Sequence, residues 1–119
     1  RKALGGGMRQ AGIIAAAGLI AINKLETQIS ADHDNAQLLA GGLDQIDGLY
    51  IDKNKVKTNI MYFELKSDTV SSKYLLKEMQ NQGILFFEVS PNRYRLVTHY
   101  GITESDIICT LEAFQKVLS

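Results

Sequence analysis

With 119 residues, 45% of them hydrophobic and 22% charged, the chain has the makeup of one globular domain and not of a disordered, collagen-like or disulfide-rich protein. Thirteen basic residues balance thirteen acidic ones, so no broad positive field exists to attract nucleic acid or an anionic membrane surface, and any function that uses charge has to be local. A single cysteine, Cys109, excludes an internal disulfide framework and suits a reducing compartment; in the apolar series Ile107, Ile108, Leu111 it reads as a core side chain.

The chain opens RKALGGGMRQAGIIAAAGLIAI, residues 1–22. The run from 11 to 22 holds only Ala, Gly, Ile and Leu, too short for a bilayer crossing of about 20 apolar residues. Gln10 interrupts it, and it passes into Asn23, Lys24, Leu25 and Glu26 with helical periodicity, not into a small-residue cleavage site, so it is not a secretory signal. A helix apolar on every side is buried on every side. Too little chain remains to wrap it, which predicts that one face meets another domain or subunit and that the sequence is part of something larger.

Residues 8–43 read as helix, with a bend expected near 27–30, where Thr27 and Ser30 can bond to the backbone. Past the bend Ile29, His33, Ala36, Leu39 and Leu43 share a face, and Gly41-Gly42 are expected to stop the helix. Residues 44–57 are a polar connection with room for a short strand at Leu49, Tyr50 and Ile51. NIMYFEL, 59–65, reads as a buried strand. Ser67, Asp68 and Thr69 supply capping oxygens for a helix with the stripe Tyr74, Leu75, Leu76, Met79, ended by Gly83. Strands 84–89 and 94–98 follow, joined through Ser90, Pro91, Asn92 and Arg93 as a hairpin. Thr103 to Asp106 has the spacing of a capping box ahead of a last amphipathic helix over 107–118. The order helix, helix, strand, helix, strand, strand, helix predicts an α+β fold: a small antiparallel or mixed three-stranded sheet with helices packed on one face.

Few residues stand out chemically. Gly5, Gly6 and Gly7 lead into a helix beside Lys2 and Arg9. That is either an anion site of backbone N–H groups or a flexible join, and neither nucleotide-binding glycine motif is matched. Arg95 sits in a strand whose alternation puts it opposite Leu96 and Thr98. There it is either a fork for a carboxylate or an exposed arginine on an open sheet face. His33 and His99 lack ligand-spaced neighbours, Ser71, Ser72 and Lys73 belong to a helix's first turn, and Glu64 and Glu88 could face each other across the sheet but without a cleft. No complete active site is encoded, and no metal site.

The segment RKALGGGMRQAGIIAAAGL, residues 1–19, closely resembles the stretch that follows the cofactor-binding lysine region in low-specificity L-threonine aldolases. RLVTH, 95–99, resembles a second signature, and LxxQISADHDNAQLLAGGL, 25–43, resembles the family's intermediate helix. The resemblance is weakest over 44–57 and 67–81. It implies the aspartate-aminotransferase-like fold of pyridoxal-phosphate enzymes, with residues 1–25 as an inter-domain or oligomer-facing helix and 26–119 as the C-terminal small domain. It further implies retro-aldol cleavage of threonine or allo-threonine to glycine and acetaldehyde by a cytoplasmic homotetramer. Arg95 would grip the substrate α-carboxylate, and Lys2 and Arg9 would lie near the cofactor phosphate of an adjoining subunit. The reactive lysine, the ring-stacking histidine, the aspartate for the ring nitrogen and most of the phosphate cradle would come from an upstream large domain. The chain alone would then neither hold pyridoxal phosphate firmly nor cleave threonine. Two alternatives stay open: the small domain of a β-eliminating pyridoxal-phosphate lyase, and a stand-alone protein-interaction module.

Overall fold

The computed structural model describes residues 2–4, 6–66 and 70–119, with Lys2 described through its backbone alone. The capping expected of Ser67, Asp68 and Thr69 lies outside the described residues.

A single helix, α1 (Gly12–Leu43), replaces the two expected. Its 32 residues span about 48 Å at 1.5 Å each, and they account for most of the 55 Å long axis of the molecule. No break occurs at 27–30: Thr27 Oγ1 bonds back to the Lys24 carbonyl at 3.2 Å, within the helix instead of against it. The helix also runs through Gly41 and Gly42. The reason is tertiary, because a Cβ on Gly42 would lie 2.3 Å from Leu111 Cδ1, so the missing side chain is what lets the third helix approach. Only Ala36, Leu39, Ala40 and Leu43 of α1 are buried; the first half stands clear of the body, with Ile13 84% exposed and Ile14, Leu19, Ile20 and Ile22 all exposed.

Gly48, at φ 90°, turns the chain into β1 (Leu49–Tyr50), which pairs antiparallel with β2 (Ile60–Leu65). The sheet therefore has four strands, not three, in the order β1-β2-β4-β3, and every pairing is antiparallel. Two residues carry too little alternation to be counted as a strand before a partner is known. Helix α2 (Ser72–Asn81) begins at Ser71, whose hydroxyl accepts from Tyr74 N–H, and ends as expected at Gly83, φ 80°. Ile84 N–H bonds the Met79 carbonyl to close that helix, so the expected strand over 84–89 starts only at Phe87, giving β3 (Phe87–Ser90). Pro91 and Asn92, the latter at φ 59°, link it to β4 (Arg93–Val97). Thr103 caps α3 (Glu104–Leu118) through the anticipated capping box with Asp106.

All three helices cover one face of the sheet. Met61, Phe63 and Leu65 of β2 and Tyr94 and Leu96 of β4 point inward, against Leu39 and Leu43, Leu75 and Met79, and Ile107 and Phe114. Phe63 is the hub: it stacks on Tyr94 (5.0 Å between centroids) and meets Phe86 and Phe114 edge-on (5.6 and 5.3 Å). Cys109 is exposed and not a core residue. The buried stripe of α3 runs through Ile107, Leu111 and Phe114, and a residue two places after Ile107 falls about 200° round the helix, on the far side.

Candidate carboxylate-binding site

Alternation in β2 and β4 leaves the opposite face of the sheet open. Register places Ile60 beside Val97, Tyr62 beside Arg95 and Glu64 beside Arg93, with Phe87 on the other side of Arg95. Arg95 thus lies in an inner strand, opposite Leu96 and Thr98 as expected, with a backbone held by ladders on both edges. Such a residue is placed far more rigidly than one on a loop.

The two guanidinium groups on this face differ in what they already hold. Arg93 is engaged internally: its Nε is 3.9 Å from Glu64 Oε1, and its guanidinium sits 5.0 Å over the Tyr62 ring. Arg95 makes no ion pair among the described residues, and its Nε is buried without a hydrogen-bond partner. A buried donor left unmade costs about 1–3 kcal/mol, so an orphan of this kind calls for an external acceptor. A carboxylate matches it best, since two parallel N–H···O bonds satisfy the fork and neutralise the charge together.

Other parts of the face offer less. An open cleft of ≈ 350 Å³ lies toward β1, lined by Tyr50, Lys55, Tyr62 and Arg93 among others, but Arg95 is not in its wall. Both cations there have acids beside them, Lys55 with Asp52 at 3.1 Å and Arg93 with Glu64, so the cleft presents no free positive charge. Glu64 and Glu88 do not face each other: Glu64 is opposite Arg93, whereas Glu88 is paired with Tyr94 on the other side of β4. His99 Nδ1 lies 3.0 Å from the Tyr100 carbonyl, and no cluster of His, Cys, Asp and Glu suited to a metal occurs among the described residues.

Arg9 lies in the turn just before α1, exposed, and the Lys2 side chain lies outside the described residues. The start of α1 has neither a side-chain cap on Ala11 nor an acidic residue in its first turn. The positive end of a 32-residue helix is therefore uncompensated and sits next to a cation, a combination that suits a phosphate. It is not part of the Arg95 site. The β4 end of the sheet meets α1 at Asp32, and Gly12 to Asp32 is about 30 Å along the helix, far more than one small cofactor can span.

Sequence reasoning missed the group that anchors this site. Thr98 follows β4 in the buried phase of its alternation and, among the described residues, is the polar one buried in the core. A hydroxyl at a core-phase strand position was the available signal, because such a group has to find a partner.

Residues 1–67 match the family model described as beta-eliminating lyase. Low-specificity L-threonine aldolase 1 of Arabidopsis thaliana is 37% identical over 119 residues, covering 99% of this chain and 33% of that protein. Low specificity L-threonine aldolase of Escherichia coli is 32% identical over 107 residues, covering 90% of this chain and 30% of that one. The chain thus spans about a third of the length of these curated relatives. Among solved structures, a NifS-like protein from Rickettsia africae superposes with a TM-score of 0.74 at 16% identity, over 94% of this chain and 36% of that one, a likeness of fold. No helix among the described residues is long and apolar enough to cross a membrane.

Proposed function

Because the chain belongs to the beta-eliminating lyase family, we propose that it is the C-terminal portion of a pyridoxal-phosphate-dependent aldolase for L-threonine and L-allo-threonine, and that Arg95 grips the substrate α-carboxylate. The observation that carries this reading is the Arg95 guanidinium, anchored in an inner strand and, among the described residues, without an ion pair and with its Nε buried and unmatched. Relatives named as low-specificity L-threonine aldolases along nearly the whole chain supply the substrate class.

In this reading the chain contributes binding and orientation. Arg95 fixes the carboxylate and so limits rotation about the bonds at Cα, on a sheet face where Tyr62 and Phe87 are its register neighbours in the flanking strands. Cleavage of Cα–Cβ then yields acetaldehyde and glycine. Pyridoxal phosphate, when bound, supplies the electron sink at Cα. The reactive lysine and most of the cofactor cradle belong to residues outside this chain, so the chain alone is inactive. Arg9 and Lys2, with the bare start of α1, fit the phosphate of a cofactor held in another copy, because the length of α1 separates them from Arg95 of their own chain. In this reading the protein is a homotetramer, with residues 1–25 meeting another domain or subunit and 26–119 forming the small domain. The exposed isoleucines and leucines of α1 support that division. The lone Cys109 suits a reducing, cytoplasmic setting.

The test is acetaldehyde release by the full-length protein that carries this chain. Arg95→Ala removes charge-assisted bonds worth roughly 1.5–3 kcal/mol, which is about a 10- to 100-fold rise in KM for threonine. Arg95→Lys, a point charge without the fork, recovers only part of it. An unchanged KM in Arg95→Ala refutes the carboxylate role, and turnover of tryptophan or cysteine in place of threonine moves the protein to the eliminating branch.

A further inference from the structure

We infer that Thr98 is a positioning residue for Arg95: its hydroxyl pins the end of strand β4 to helix α1 and thereby sets where the guanidinium meets the carboxylate. The inference rests on the carboxylate role of Arg95 proposed above.

Thr98 is 1% exposed, and each of its three polar groups is committed. Its Oγ1 donates to the Asp32 carbonyl of α1 at 2.6 Å, bridging 66 residues of sequence. Its N–H donates to the Asn59 carbonyl at 2.9 Å, and its own carbonyl accepts from Asn59 Nδ2 at 2.6 Å. The backbone bond to Asn59 extends the β2–β4 ladder, and with the Asn59 side-chain amide it fixes Thr98 sideways within the sheet. A ladder does not fix how high a strand sits over the helix beneath it, and the hydroxyl bond to Asp32 does. A second tie, Asn35 Nδ2 to the Ile102 carbonyl at 2.9 Å, lies about one turn further along α1 and holds the segment that follows.

The choice of threonine is informative. Valine has nearly the same shape and would enter this apolar layer without the cost of burying a hydroxyl. The Asp32 carbonyl is in mid-helix and keeps its own helical N–H partner when the hydroxyl is gone, so no buried acceptor is orphaned by the change. Folding therefore gains little from the hydroxyl, whereas placement gains a directional bond three residues from Arg95. Displacements of about 1 Å suffice to weaken a two-point guanidinium–carboxylate contact strongly.

The experiment uses the full-length holoenzyme and measures kcat and KM for threonine, together with equilibrium dialysis of isotopically labelled glycine as a non-cleavable carboxylate probe. Thr98→Val is expected to raise KM and the glycine dissociation constant about 5- to 10-fold, with kcat changed less than about twofold. Thr98→Ser, which keeps the hydroxyl, stays within about twofold of the parent in both. The deciding readout is the double variant: in the Arg95→Ala background, Thr98→Val has no further effect, since it acts through a group already removed. Equal effects in both backgrounds, or none in the parent, overturn the positioning role and leave Arg95 standing. No weakening by Arg95→Ala itself overturns instead the carboxylate reading beneath it. If Thr98→Val does not fold, Thr98→Ala takes its place, and failure of both to fold overturns the inference in favour of a purely structural hydroxyl.

Discussion

Gly41 and Gly42 are neighbours in the same helix, yet replacing each by alanine is expected to move stability in opposite directions. Both substitutions gain the same intrinsic helix preference, about 0.8–1 kcal/mol for alanine over glycine. At Gly41 a Cβ meets nothing within 4 Å, so the gain is kept and the variant is more stable by up to that amount. At Gly42 the Cβ would lie 2.3, 2.5 and 2.9 Å from Leu111 Cδ1, Cδ2 and Cγ. Because Cγ is caught as well as the methyl tips, turning the Leu111 side chain is not enough and α3 has to move off α1. Overpacking of this kind costs about 1–3 kcal/mol, which leaves Gly42→Ala between roughly neutral and 2 kcal/mol less stable. The shared helix term cancels in the difference between the two variants, so about 1–3 kcal/mol between Gly41→Ala and Gly42→Ala reports the contact alone. Urea unfolding followed by far-ultraviolet circular dichroism resolves this, provided the m-values agree. Equal midpoints for the two variants would refute the claim that α1 continues through both glycines to admit α3.

The capping box of α3 carries the next expectation. Thr103 donates to the Asp106 carboxylate from its hydroxyl at 2.7 Å and from its N–H at 2.8 Å, and these two bonds, the side-chain one foremost, hold Asp106 below its usual value. A lowered folded-state value stabilises above the unfolded value and is lost as pH falls below about 4. Thr103→Ala should thus lower the thermal unfolding midpoint at pH 7, and the gap to the parent should narrow in acid. Tyr94 gives the reverse sign. Burial pushes its phenol up, the nearby Ser72 hydroxyl opposes this, and the Glu88 carboxylate adds to the rise. Its contribution is present below the unfolded value near pH 10 and is lost as pH rises through the folded one. Since neither the Tyr94 nor the Ser72 hydroxyl makes a hydrogen bond of good geometry among the described residues, and Ser72 is only a weak neighbour to the phenol, Tyr94→Phe should be neutral or slightly stabilising at pH 7 and flatten the alkaline loss of stability seen by circular dichroism. On the exposed half of α1, Ile13→Lys and Ile20→Glu touch no core residue and should shift the unfolding midpoint by no more than about 0.5 kcal/mol, while sedimentation of the full-length protein shows weakened assembly.

Much of the site was legible in the sequence because its signals are local. Strict alternation in Tyr94, Arg95, Leu96, Val97 and Thr98 put the arginine on the open face without any knowledge of its partners, and the capping spacing from Thr103 to Asp106 needs only four residues to be read. Cys109 shows where local reading fails. An apolar neighbourhood in sequence is not one in space, and on a helix two residues of separation move a side chain to the opposite side.

Residue order by itself determined the α+β class, the stop of α2 at Gly83, the capping box that opens α3, the β3–β4 hairpin and the faces of the inner strands, all of which follow from periodicity and from side chains that satisfy backbone groups a few positions away. Only the tertiary structure decided that α1 is one helix passing through two glycines, that a two-residue strand completes a fourth position in the sheet, that Arg93 is spent on Glu64 while Arg95 has no ion pair among the described residues, and that Thr98 reaches back to Asp32. Each of those outcomes depends on an atom from a distant part of the chain arriving within bonding or contact distance, and that is a property of the packed molecule which no local pattern contains.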